Sequence, residues 1–152
     1  MIEPTFKINV YNRFFQMVLD KIAMLQQSLL DLKESSSNET KSTAGDKHET
    51  ALAMLQIDQE KTSLQLKDAL VQKALFEKID PAISTPRVTN GSLVKTNKGY
   101  FFISVAIGKT TVDGETVIAL SPGSPLGNAL MGLDRNDTTS VNGNLYQIED
   151  IC

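Results

Sequence analysis

Between residues 46 and 78 the chain carries a repeat that dictates a long helix. Leu52, Leu55, Gln59, Thr62, Leu66, Ala69, Lys73 and Phe76 follow one another at alternating steps of three and four. That spacing places side chains on one face of an α-helix. Residues 7–34 repeat the pattern in Phe14, Val18, Ile22, Leu25, Leu29 and Leu32, with no glycine or proline in the stretch. Two such stretches in succession predict an antiparallel helical hairpin. The second seam is polar in its middle, which suits a two-helix pair better than a deep core. At a rise of about 1.5 Å per residue, arms of roughly 28–33 residues extend about 42–50 Å. That is long for a chain of 152 residues.

Residues 35–45 read Ser-Ser-Ser-Asn-Glu-Thr-Lys-Ser-Thr-Ala-Gly, without an aromatic or large apolar side chain. Such residues compete with the helical backbone and favour turns and caps. They predict a connector longer than the roughly 2–5 residues a helical hairpin needs. Extra length at a tip either serves a function or is tolerated as surface loop.

The period changes after Asp80-Pro81. Pro81 and Pro86 bracket a linker, since each disfavours helix at the residue before it. Short β-forming runs follow at residues 92–95, 100–107, 116–120 and 145–151. Turn signals separate them at Asn97-Lys98-Gly99, Asp113-Gly114 and Asn142-Gly143. One short helix is expected where Ser124 can cap, Pro125 can occupy the first turn, and Leu126, Ala129, Leu130 and Leu133 keep helical spacing. The fold class is therefore α+β: an N-terminal antiparallel α-helical hairpin over residues 1–80, then an antiparallel β-sheet domain with one short helix over residues 81–152.

Composition narrows the function. Residues 1–80 hold 10 basic and 12 acidic side chains and residues 81–152 hold 5 and 6, matching the net charge of −3. Phosphate-backbone affinity rests on dense Lys/Arg contacts, so work on nucleic acid is expected only through a protein partner. The longest apolar run, residues 101–107, is too short to span a bilayer. The N-terminus lacks the features of a secretory signal. A cytoplasmic location without membrane association is expected. Cys152 is the single cysteine, leaving no internal disulfide and no thiolate metal site. With one histidine, His48, no tryptophan and no glycine-rich phosphate loop, self-contained catalysis is not expected.

Asp46 and Glu49 stand apart. They open the second helix three residues apart, so their side chains share a face. An Asp followed three residues later by Glu also reads as a capping-box-like helix start, favoured by the helix dipole. The two roles are compatible, because the dipole keeps the carboxylates ionised, and ionised carboxylates suit Mg²⁺.

Two segments carry a resemblance to a known family. Gly45-Asp46-Lys47-His48-Glu49-Thr50-Ala51 looks like the tip motif of the GreA/GreB transcript-cleavage factors, in which Gly-Asp precedes two variable residues and Glu. Ser121-Pro122-Gly123-Ser124-Pro125-Leu126-Gly127-Asn128-Ala129-Leu130-Met131-Gly132 resembles their C-terminal stretch. Asn136-Asp137 stands where that family usually has Gly-Asp, and residues 145–151 resemble its closing strand. After Glu49, Thr50-Ala51-Leu52-Ala53 replaces the family's frequent Asn-Ala-Glu-Tyr.

The resemblance implies an FKBP-like fold for the C-terminal half, docking on RNA polymerase through the stretch containing Ser121, Pro122, Ser124, Pro125 and Leu126. It implies a transcription elongation factor, expected as a monomer, whose hairpin enters the polymerase secondary channel. There Asp46 and Glu49 would assist a Mg²⁺ shared with the polymerase and not held tightly by this chain alone. The nascent RNA 3′ end would be met only through polymerase. The protein would not itself be an enzyme but would stimulate the polymerase's own endonuclease on backtracked RNA. Three alternatives stand beside this: a non-cleaving regulator of the same channel, a prolyl isomerase using Tyr100, Phe101, Phe102 and Tyr146, and a coiled-coil adaptor with no polymerase link.

Overall fold

The computed structural model describes the backbone of residues 1–40 and 46–152 and the side chains of residues 1–38 and 49–152. Helix α1 spans Pro4–Thr40 and α2 spans Asp46–Glu77. Their 37 and 32 residues correspond to helices of about 55 Å and 48 Å. α1 begins three residues earlier than its apolar period predicts, because Pro4 serves at the first helical position, where its missing N–H is no loss. The Glu3 carbonyl there accepts from the Phe6 and Lys7 N–H groups at 3.0 and 3.3 Å.

The connector expected over residues 35–45 needs correction. Residues 35–40 continue α1, and residues 41–45 lie outside the described residues. Adding a residue to an existing helix forms a hydrogen bond without the cost of nucleation. The modest propensity deficit of Ser, Asn and Thr, at most about 0.7 kcal/mol each, does not stop it. Gln59 Nε2 also donates to the Leu32 carbonyl oxygen at 3.2 Å and to Ser36 Oγ at 2.8 Å.

The chain forms two compact units, Val18–Lys73 and the combination of Met1–Met17 with Ala74–Cys152. The sequence division at residue 80 follows the change of period, whereas packing groups the helix ends near residues 1–17 and 74–80 with the sheet.

In the unit Val18–Lys73, the Gln59 bonds set the middle of α2 against the far part of α1. Thr62 and Gln65 share a groove with Ser28 and Asp31. The two helices therefore run antiparallel. Val18, Ile22, Leu25 and Ala69 are buried, and Leu29, Leu32, Leu52, Leu55, Gln59, Thr62, Leu66 and Lys73 are half-buried. These are the seam positions the spacing selects.

The other unit is built on a six-stranded sheet in the order β3-β4-β2-β1-β6-β5. Its strands are β1 (Leu93–Thr96), β2 (Gly99–Ile103), β3 (Gly108–Val112), β4 (Glu115–Leu120), β5 (Thr138–Val141) and β6 (Asn144–Ile151). Helix α3 (Pro125–Leu130) lies between β4 and β5. One pairing departs from the expected antiparallel sheet: β2 and β4 run parallel, with Phe101 opposite Ile118. The chain leaves β2, passes to the edge as β3, and the β3–β4 hairpin then fills the gap beside β2.

Strand alternation gives this sheet two apolar faces. Leu93, Phe102, Val117 and Ala119 pack with Phe14 and Phe76 from the helix ends. Val94, Phe101, Ile103 and Ile148 pack with Leu130 of α3. Phe14 stacks on Phe102 with centroids 6.2 Å apart, and Phe76 meets the same ring edge-on at 5.8 Å. Phe14, Phe76 and Phe102 are fully buried.

Candidate functional site

Asp46 opens α2, with its side chain outside the described residues, and Glu49 lies exposed three positions on. The capping and metal-binding roles of Asp46 therefore both fall outside the described residues. Among the described residues no group of three or more His, Cys, Asp or Glu side chains could hold a metal ion. One exposed carboxylate is a suitable but incomplete ligand for Mg²⁺, which takes six oxygens and keeps several as water or substrate. Glu49 could offer one carboxylate to such an ion.

The Ser121–Leu126 stretch is built around two hydroxyls. Ser124 has extended backbone (φ −68°, ψ 158°), and its Oγ accepts from the Gly127 N–H at 3.1 Å. The same Oγ donates to the Ser121 carbonyl oxygen at 2.8 Å, while Ser121 Oγ accepts from the Gly123 N–H at 3.2 Å. Pro125 occupies the first helical turn. A side chain at Gly127 would place its Cβ 2.1 Å from the Ser121 carbonyl oxygen, so only glycine fits. Leu126 packs on the core beneath α3. Pro125 remains exposed, and Ser121, Pro122 and Ser124 are half-buried. The motif thus makes a rigid corner between β4 and α3, with Pro125 on its outer side. The tip carboxylates and this corner belong to different compact units.

Asn136 takes φ +74°, a conformation that glycine and asparagine adopt most readily. Its N–H donates to the Ile148 carbonyl at 2.8 Å, and Asp137 Oδ2 accepts from the Asp134 N–H at 2.7 Å. An Asn-Asp in place of Gly-Asp preserves this turn.

The four aromatic residues considered for isomerase chemistry do not line one pocket. Tyr100 and Phe102 pack on the face with Phe14, whereas Phe101 and Tyr146 pack on the opposite face, 5.9 Å apart. The period of two in β2 separates them.

Periodicity gave no hint of Lys7. It is 2% exposed, and its Nζ donates to the Ile83 carbonyl oxygen at 2.6 Å. Burial pushes its pKa below the usual lysine value, against the opposing pull of Cys152 and Asp80. A cavity of about 170 Å³ adjoins it, lined also by Asp80, Thr85, Thr89 and Ser92. The only sequence signal was a lysine one helical turn before the apolar Val10 and two turns before Phe14.

Fold and site together define an α+β protein with a helical hairpin, carboxylate-bearing at the start of α2, and a six-stranded sheet domain with a rigid Ser-Pro corner. No helix of the described residues is long and apolar enough to cross a membrane. No protein-family model matches the chain, and no curated protein is similar to it at a significant level. Among solved structures it is similar to one titled "Structure of the transcription factor Gfh1", at 16% identity over 93% of this chain and 92% of the other, with a TM-score of 0.32. A superposition that loose carries nothing about chemistry.

Proposed function

We propose that this chain is a Gre-type accessory factor of RNA polymerase that stimulates Mg²⁺-dependent cleavage of backtracked RNA. The observation that carries the proposal is the exposed Glu49 in the first turn of α2, three residues after Asp46 in a Gly-Asp-x-x-Glu segment. The order of that segment and the Ser121–Gly132 stretch supports it, as does the hairpin-then-sheet architecture. Asp46 and Glu49 would supply carboxylate oxygens at a helix N-terminus, where the helix dipole favours negative charge. A shared metal ion supplies the acidity that makes a hydroxide nucleophile available. In this reading the active centre belongs to the polymerase, and the chain stimulates that activity rather than carrying it alone. Pro125, on the outer side of the β4–α3 corner, is the contact we assign to docking.

A non-cleaving regulator of the same channel is the second reading, favoured by Thr50-Ala51-Leu52-Ala53, which lacks the acidic and aromatic side chains common after the family's motif.

The test is RNA cleavage in a backtracked elongation complex with Mg²⁺, comparing wild type with Asp46→Asn and Glu49→Gln. Cleavage that collapses in folded, polymerase-binding variants supports the factor role. Binding without cleavage by wild type assigns the regulator role, and absence of both overturns the polymerase link.

A further inference from the structure

Helix α2 is apolar on two opposite sides. One is the seam toward α1; the other is a stripe of Met54, Ile57, Leu64 and Val71, each between 53% and 63% exposed. With Lys61 and Asp68, both exposed, these positions also alternate steps of three and four. They form a second heptad-like face about half a turn from the first. A solvated helix surface has no need of such a repeat.

The charges on this stripe are placed almost symmetrically. Lys61 lies three residues before Leu64 and Asp68 four residues after it; Ile57 and Val71 lie seven before and seven after. Antiparallel pairing with an identical stripe, about a two-fold axis through Leu64, sets Leu64 against Leu64. The same axis sets Ile57 of each copy against Val71 of the other. It brings Lys61 of each copy to Asp68 of the other within one residue's rise, about 1.5 Å, which a lysine side chain spans easily. Both polar interruptions of the stripe are then matched by opposite charge, twice per pair. Parallel pairing instead sets lysine on lysine and aspartate on aspartate, which is repulsive. A self-complementary patch of this kind is what an isologous interface requires.

We infer that the outer face of α2 is a self-association surface whose occupant is the same face of a second copy, antiparallel and centred on Leu64. This departs from the monomer expected from sequence. It stands independently of the proposed role at polymerase, since none of its residues belongs to the tip motif or the Ser-Pro corner.

Sedimentation equilibrium on the full chain tests it, using wild type, Lys61→Glu, Asp68→Lys, the double variant, and an equimolar mixture of the two single variants. All substitutions are on exposed positions, and circular dichroism verifies that helix content is retained. Wild type is expected to form dimers, and each single reversal to weaken them about tenfold or more through two repulsive contacts. The double variant regains dimerisation. The mixture associates more tightly than either single variant alone, because the carboxylate introduced in one chain then faces the ammonium introduced in the other. Leu64→Glu abolishes the dimer. A wild type that stays monomeric to millimolar concentration overturns the inference, as does a dimer indifferent to all these changes.

Discussion

Lys7 Nζ donates a hydrogen bond to the carbonyl oxygen of Ile83, 76 residues later in the chain. This contact ties the start of α1 to the segment after Pro81 and holds an ammonium group almost wholly out of water.

The cost of that burial depends on pH. The folded-state pKa of Lys7 lies below 10.5, mainly through desolvation. Between the lowered value and 10.5, the unfolded chain keeps a proton that the folded chain has released. Stability contributed at this site therefore rises with pH through that window. Relative to Lys7→Met, wild type is expected to gain stability as pH climbs from 7 toward 10.5, measured by urea denaturation. A pH-independent difference would show that the ammonium is not desolvated.

Tyr11 acts with the opposite sign. Its hydroxyl donates to the Phe76 carbonyl oxygen at 3.1 Å, and its pKa is raised above 10.0, first by burial and then by Glu77 and Asp80. The neutral phenol is the form the fold prefers, so its contribution is complete below pH 10.0 and is lost as pH rises through the raised pKa. Tyr11→Phe should cost about 1 kcal/mol at neutral pH and flatten the alkaline loss. The same denaturation series on this variant reads both effects.

The corner between β4 and α3 depends on two small residues. Ser124→Ala removes the cap and should destabilise by about 1 kcal/mol. Gly127→Ala forces a methyl group into the Ser121 carbonyl, 2.1 Å from its oxygen, and should cost about 3 kcal/mol by displacing packed backbone. Denaturation midpoints with an unchanged slope check both. Equal effects from the two variants would mean the corner yields more easily than its geometry indicates.

Gln59 secures the far part of α1. Gln59→Leu keeps the packing volume but loses the donors to Leu32 and Ser36. Losing about 1 kcal/mol of local stability should accelerate amide exchange at residues 33–38 roughly fivefold, with little change in residues 93–103. Uniform acceleration throughout would instead indicate global destabilisation.

The sequence determined the helices and their buried faces by itself. A period of 3.6 over about thirty residues leaves few alternatives, and the half-buried Gln59, Thr62 and Lys73 lie where that period puts them. It also located the turns: Asp113-Gly114 and Asn142-Gly143 take positive φ at both residues, as two-residue hairpins require. β3 and β5 escaped notice because they are the sheet's edges. Lys109, Thr110, Thr111 and Thr138, Thr139, Ser140 bury little, so alternation of hydrophobicity never marks them. The extent of α1 was underestimated for a related reason, since residues 35–40 extend a helix already formed and need no apolar face.

What only the tertiary structure decided is which elements share a core. Phe14, Phe76 and Phe102 are far apart in sequence, and their stacking assigns the helix ends to the sheet unit rather than to the hairpin. The burial of Lys7 and the opposite-face placement of Phe101 and Phe102 have the same origin. Local periodicity reports which side of an element avoids water, but the partner on that side is chosen by long-range packing.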